Sequence, residues 1–151
     1  MTKKKIYTTT IGSFPKPKYL PIIDWFDSAR GEDGMNTFKT TLEYTKYDEN
    51  KSSKDELLFL RAASEVINIQ LKAGIDVPTD GEVRRENYIH YHCRHLEGFD
   101  FNNLEHRVLR DGAYETGLPA IRNQIKHTGK YYSSHDYLSS QAVSSNPVKF
   151  T

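Results

Sequence analysis

Two short clusters carry residue types suited to holding a small zwitterion: Ile11-Gly12-Ser13 and Asp80-Gly81-Glu82. Glycine lets a ligand approach the backbone closely, so that main-chain N–H and C=O groups and the Ser13 hydroxyl reach it together. Glu82 supplies a carboxylate suited to an ammonium group. Acting together, the two clusters would grip both ends of an amino acid, the backbone and Ser13 on its carboxylate and Glu82 on its amine. The structural alternative is that Gly12 only makes a turn and Glu82 pairs with Arg84 or Arg85.

A third cluster, His90, His92, Cys93 and His95, has zinc-ligand chemistry, and His92 to His95 is a workable helical spacing. No second pair of ligands follows at finger-like spacing. The histidines are interleaved with Tyr88, Tyr91 and Arg94, so a mixed aromatic and polar surface face accounts for them equally well. A Cys–His nucleophile pair would need an orienting third group, and adjacent positions point apart. No metal ligand and no catalytic residue is assigned within the chain.

Elements must bring the first two clusters together. Ile6 to Gly12 is rich in β-branched residues and stops at Gly12-Ser13-Phe14-Pro15, which predicts a strand followed by a turn. A polar stretch punctuated by Gly and Pro runs from Lys16 to Lys51, with a weakly periodic piece at Tyr19–Ala29 that suggests a short helix. The clearest helix is predicted over Lys54 to Ala73. Ser53 and Glu56 are read as its capping box, and Leu60, Ala63, Ile67 and Leu71 as an apolar stripe flanked by Phe59, Val66 and Ile69. Gly74 is placed to end it in a left-handed turn. Ile75 to Thr79 predicts a second strand ending at Asp80-Gly81-Glu82.

Strand, helix and strand in that order imply parallel neighbours. Both clusters then fall at C-terminal strand ends, the ligand-binding edge of parallel α/β folds. Pro78 lacks the N–H of a central strand position and is expected near the strand's end or at a bulge. An aromatic, His-rich segment follows from Tyr88 to Phe101, then a polar region of hairpin character to Tyr132. A short helix is predicted from Ser134 to Val143 and a third strand over Pro147 to Thr151.

At 151 residues the chain has the size of one domain, and its 21 basic and 20 acidic residues leave a net charge of +1. That balance offers no electrostatic reason for a nucleic-acid or anionic-membrane partner. Lys3-Lys4-Lys5 reads as a solvated tail with no apolar region behind it, unlike a secretory signal. No run approaches the roughly 20 apolar residues of a membrane helix. The single cysteine excludes an internal disulfide framework and fits a reducing compartment. A cytoplasmic location is expected.

The same clusters carry a family resemblance. Thr8-Thr9-Thr10-Ile11-Gly12-Ser13-Phe14-Pro15 resembles the opening of the catalytic barrel of cobalamin-independent methionine synthase. Gly74 to Glu82, with Arg85 and Leu96-Glu97-Gly98-Phe99-Asp100-Phe101, is similar to that barrel's second strand and following segment, and Pro147 to Thr151 to the start of its next strand. The resemblance implies a (β/α)₈ TIM barrel, methylation of homocysteine on sulfur to methionine, and roles for Ile11, Gly12, Ser13 and Glu82 in holding the amino-acid end of homocysteine. It also implies a zinc ion whose His, Cys, Glu and Cys ligands lie on later strands, so the cluster around Cys93 does not correspond to them. The methyl donor would be methyl-tetrahydrofolate or another methyl carrier. Glu115 to Ile121 lacks the Arg-Cys pair of members using methyl-folate polyglutamate, and the chain looks closer to single-barrel relatives.

A complete barrel of this kind takes at least about 200 residues. The expected α/β fold is therefore a partial (β/α)₈ barrel over residues 1–151, with about the first two strands, the start of a third and a long insertion after strand 2. Such a fragment, truncated before the zinc-ligand strands, is expected to be inactive alone, with the missing half of the barrel as a partner. The alternatives are a non-catalytic fragment or assembly partner of a split barrel, and a small zinc module built on the histidine cluster.

Overall fold

In the computed structural model, which describes residues 6–24, 38–109, 111–112, 114–129 and 132–150, the most periodic segment forms the longest helix. Among the described residues, three other helices and one pair of strands accompany it. The elements are α1 (Phe38–Asn50), α2 (Ser53–Lys72), α3 (Tyr88–Cys93), β1 (Leu96–Leu109), β2 (Tyr114–His127) and α4 (Tyr132–Ala142).

The start of α2 lies one residue before the expected capping box. Ser52 is the N-cap, and its N–H and hydroxyl both donate to Asp55 Oδ2, at 2.8 and 3.0 Å. That leaves Glu56 free for a different partner. The buried face of α2 is Phe59, Ala62, Ala63, Val66, Ile67 and Gln70, turned slightly from the predicted stripe. Ile69 is exposed instead. Small Ala62 and Ala63 admit close neighbours, and Phe59, Ala62, Ala63 and Val66 form the core with Leu20 and Val83. The helix ends as expected, with Gly74 at φ +84°.

Helix α1 was not expected. Its buried residues are Thr40, Thr41 and Tyr44, so no aliphatic stripe announces it. Tertiary contacts hold it: Arg94 donates to Thr45 Oγ1 at 2.9 Å and to the Thr41 carbonyl at 3.3 Å, and lies over the Tyr44 ring. Helix α4 begins two residues before the prediction. The suggested helix at Tyr19–Ala29 lies largely outside the described residues.

Three extended segments run parallel in the order Thr9, Val77–Thr79, Lys149, joined by the single bridges Thr9↔Val77 and Thr79↔Lys149. The Val77 N–H donates to the Thr8 carbonyl and the Lys149 N–H to the Pro78 carbonyl. The order and direction match the expectation. Among the described residues, however, the one continuous ladder is the antiparallel β1–β2 hairpin, so the fold is mixed α/β without a long parallel sheet. The local reason lies at Pro78 and Thr79. Pro78 has no N–H to donate, and the backbone of Thr79 is taken by a side chain: its N–H donates to Gln70 Oε1 at 3.0 Å, and its carbonyl accepts from Gln70 Nε2 at 2.8 Å. Buried Gln70 thus occupies hydrogen-bonding capacity that a neighbouring strand would otherwise use.

The segment of hairpin character is a full hairpin of two 14-residue strands. Its register shifts between Glu97 and Phe99, where Gly98 sits at φ +98°. A Cβ there would stand 2.8 Å from the carbonyl oxygens of Asn123 and Gln124, so the bulge requires glycine. No helix among the described residues is long and apolar enough to cross a membrane.

Candidate functional site

The two clusters meet. The Phe14 N–H donates to the Gly81 carbonyl at 2.9 Å, and the Ser13 hydroxyl donates to Glu82 Oε2 at 2.8 Å. Both residues are half-buried. Of the four residues singled out from the sequence, Ser13 and Glu82 are therefore in direct contact. Ile11 and Gly12 precede Ser13 at the surface: Ile11 is 84% exposed, and Gly12 has φ +83° with open space where a Cβ would stand. Gly12 is needed for its backbone angle rather than for room.

The second turn is built more tightly. Gly81, at φ +67°, is buried, and an added Cβ would meet Val66 Cγ1 at 2.6 Å and Phe14 Cβ at 3.0 Å. The Gly81 N–H donates to Thr79 Oγ1 and the Glu82 N–H to Asp80 Oδ1. Glu82 itself adopts φ +56°, a left-handed conformation that is uncommon for a residue with a side chain and is often found at ligand-binding positions.

Glu82 does not take Arg84 or Arg85 as the structural alternative required. Arg84, 2% exposed, makes two bonds to Glu56, at 2.8 and 2.6 Å, with Asp136 Oδ1 at 4.0 Å. The guanidinium of Arg85 lies 4.8 Å from the Phe150 ring centroid and 5.9 Å from that of Tyr91. Its Nε and Nη2 are buried without a hydrogen-bond partner, as is Lys16 Nζ. Burial pushes the Lys16 ammonium below its ordinary value and the Asp80 carboxyl above its own, Arg85 opposing the latter.

The histidine cluster disperses into packing contacts. His90 is buried edge-on to Phe101, and burial followed by the Arg94 charge holds it down to about 4. His92 Nδ1 lies 2.6 Å from the Tyr132 hydroxyl, and His95 stacks on the Tyr132 ring at 3.7 Å. Burial raises the Cys93 thiol, the opposite of an activated nucleophile. Among the described residues no three His, Cys, Asp or Glu side chains converge as a metal site. His90, His92, Cys93 and His95, turned to these separate partners, do not fit a zinc ion.

Sequence reasoning passed over Gln70, Lys16 and the Glu56–Arg84 pair, and named Asp80 only as part of its cluster. Signals for two of them were visible: a glutamine within an apolar stripe, and a basic residue three positions after each of Ser13 and Glu82.

Residues 6–149 match the family described as the cobalamin-independent synthase, catalytic domain. The chain belongs to this family. A methionine synthase from Sulfolobus acidocaldarius is 31% identical over 120 residues, covering 80% of this chain and 29% of the relative. One from Saccharolobus solfataricus is 33% identical over 96 residues, covering 62% and 23%. A solved structure of a B12-independent methionine synthase from Shewanella sp., in complex with selenomethionine, shares the fold, with TM-score 0.66 and 21% identity over 93% of this chain and 36% of that one. The chain thus spans less than a third of the length of these curated methionine synthases, and family membership rests on that portion.

Proposed function

We propose that the chain contributes the amino-acid-binding part of a partial TIM barrel that methylates homocysteine on sulfur to give methionine. The contact between Ser13 and Glu82, on two turns held together by the Phe14–Gly81 hydrogen bond, carries this reading. Without ligand the hydroxyl and carboxylate satisfy one another. An entering ammonium would take Glu82, and the freed Ser13 hydroxyl would turn to the ligand carboxylate, with the exposed backbone at Ile11 and Gly12 bordering the same opening. The selenomethionine held by the Shewanella enzyme supports a ligand of this class.

Zinc, when bound in the family, makes the thiolate available at neutral pH. The resemblance puts its ligands on later strands, and no step through it is assigned to the residues here. The methyl donor is methyl-tetrahydrofolate or another methyl carrier, and a cytoplasmic metabolic role accompanies the reading.

Calorimetric titration with L-methionine tests it. A charge-assisted hydrogen bond contributes about 1.5–3 kcal/mol, so Glu82→Gln should weaken binding about 10- to 150-fold. Equal affinity in wild type and variant would reject the assignment.

A further inference from the structure

Each turn of the Ser13–Glu82 pair is followed three residues later by a buried cation with unused hydrogen bonds. Lys16 is 6% exposed and Arg85 2%. Lys16 Nζ and Arg85 Nε and Nη2 have no partner. Buried donors are almost always satisfied, so two unsatisfied cations on adjoining turns call for an acceptor from outside.

Carboxyl groups lie nearby without filling that role. Asp24, Glu82 and Glu86 act on Lys16 through their charge, as Arg85 does with opposite effect, yet none is bonded to Nζ. Glu86 is held by Arg94 through Oε1 at 2.8 Å, with its Oε2 unbonded, and Glu82 is held by Ser13. Asp80 is the counterpart of Arg85. It is 2% exposed, spends Oδ1 on the Glu82 N–H and leaves Oδ2 unbonded. Arg84 and Glu86 have partners in Glu56 and Arg94, so the two turns leave two cations, Lys16 and Arg85, and two carboxyls, Asp80 and Glu82, balanced in formal charge but with donors and acceptors both unfilled. A simple anion would upset that balance. A zwitterion would satisfy both sides.

We infer that Lys16 and Arg85 together receive the carboxylate of a zwitterionic amino acid whose ammonium lies toward Glu82 and Asp80. This rests on the amino-acid reading of the Ser13–Glu82 contact and extends it: Ser13 aids a carboxylate whose principal partners are the two buried cations. Lys16 and Arg85 become specificity-determining residues that select the full amino acid over its amine or its acid alone. A carboxylate has two oxygens and about four lone-pair sites, enough for both side chains.

The test uses the whole chain with three probes: L-methionine, 3-(methylthio)propylamine, which lacks the carboxylate, and 4-(methylthio)butanoate, which lacks the amine. Methionine should bind at least tenfold tighter than either. Lys16→Met should remove most of its advantage over the amine and raise the melting temperature of the ligand-free chain, because an unsatisfied ammonium is gone. Lys16→Arg should restore methionine binding. Loss of stability in Lys16→Met would mark a structural role and overturn the inference. Methionine binding that falls in Glu82→Gln but is unchanged in Lys16→Met overturns it while leaving the amino-acid reading intact. Methionine binding insensitive to Glu82→Gln, or none by the wild-type chain, rejects both. A triglutamate peptide weakened by Lys16→Met while methionine is unaffected would assign the cations to the donor's tail and overturn it as well.

Discussion

Replacing Glu56 by Leu removes the partner of a nearly inaccessible guanidinium. Arg84 is 2% exposed and makes both its short bonds to Glu56, whose own side chain is 27% exposed. Breaking a buried pair from one side costs about 3–5 kcal/mol, because the remaining charge is left uncompensated. Asp136, 4.0 Å from Arg84 Nε, stays in place and puts the expected loss at about 3 kcal/mol. With a urea slope of about 2 kcal/mol per molar, the midpoint falls by about 1.5 M. The double variant Glu56→Leu/Arg84→Met removes both charges and should recover most of that loss, since apolar replacement of a whole buried pair is often neutral. Urea denaturation followed by circular dichroism on wild type, both single variants and the double variant completes the cycle. A loss below about 1 kcal/mol in Glu56→Leu, the range of exposed pairs, would refute the argument, as would a double variant no more stable than the single. Acid gives an independent check. Burial pushes the Glu56 carboxyl up, but the hydrogen bonds and charge of Arg84 outweigh it and leave it below its ordinary 4.5. The unfolded chain then binds the proton more readily, so the pair's contribution is full above about pH 4.5 and lost as pH falls through the lower folded value. The double variant should lack that loss.

His90 predicts a different pH dependence. Its imidazole is held at about 4 in the fold against 6.5 ordinarily, so the unfolded chain takes up the extra proton between those values and stability falls as pH drops from 6.5 toward 4. The full shift corresponds to about 3 kcal/mol, of which about 2.5 kcal/mol falls between pH 7 and 4.5 and is read from urea midpoints at those values; a His90→Phe variant with the same slope as wild type would contradict it. Gly81→Ala should destabilise by about 2–4 kcal/mol, combining a left-handed backbone with a Cβ 2.6 Å from Val66 Cγ1. It should also weaken methionine binding, because the same turn carries Glu82. A melting curve within about 0.5 kcal/mol of wild type would show that Val66 and Phe14 yield readily.

The long helix α2, the glycine that ends it and the two strand-to-turn clusters were legible because each depends on neighbours within a few residues. Periodicity, capping chemistry and turn residues are local, and an error of one position at Ser52 against Ser53 is the usual slack in a helix start. The family resemblance was legible for a related reason, since its motifs are short and contiguous. Helix α1 was not, because its buried residues are Thr40, Thr41 and Tyr44 and its partners, Arg94 and the hairpin, are named by no local pattern. The histidine cluster has zinc-ligand residue types without a second ligand pair, and only the fold shows that its rings face Phe101 and Tyr132. Residue type alone thus established which polar groups the two clusters offer and where the chain turns. Only the tertiary structure decided that Ser13 and Glu82, 69 positions apart, share one hydrogen bond, that Gln70 serves the backbone of Thr79, and that Lys16 Nζ and the Nε and Nη2 of Arg85 stay unsatisfied. Those outcomes depend on which distant side chains reach the same buried volume, a matter of packing that local spacing does not encode.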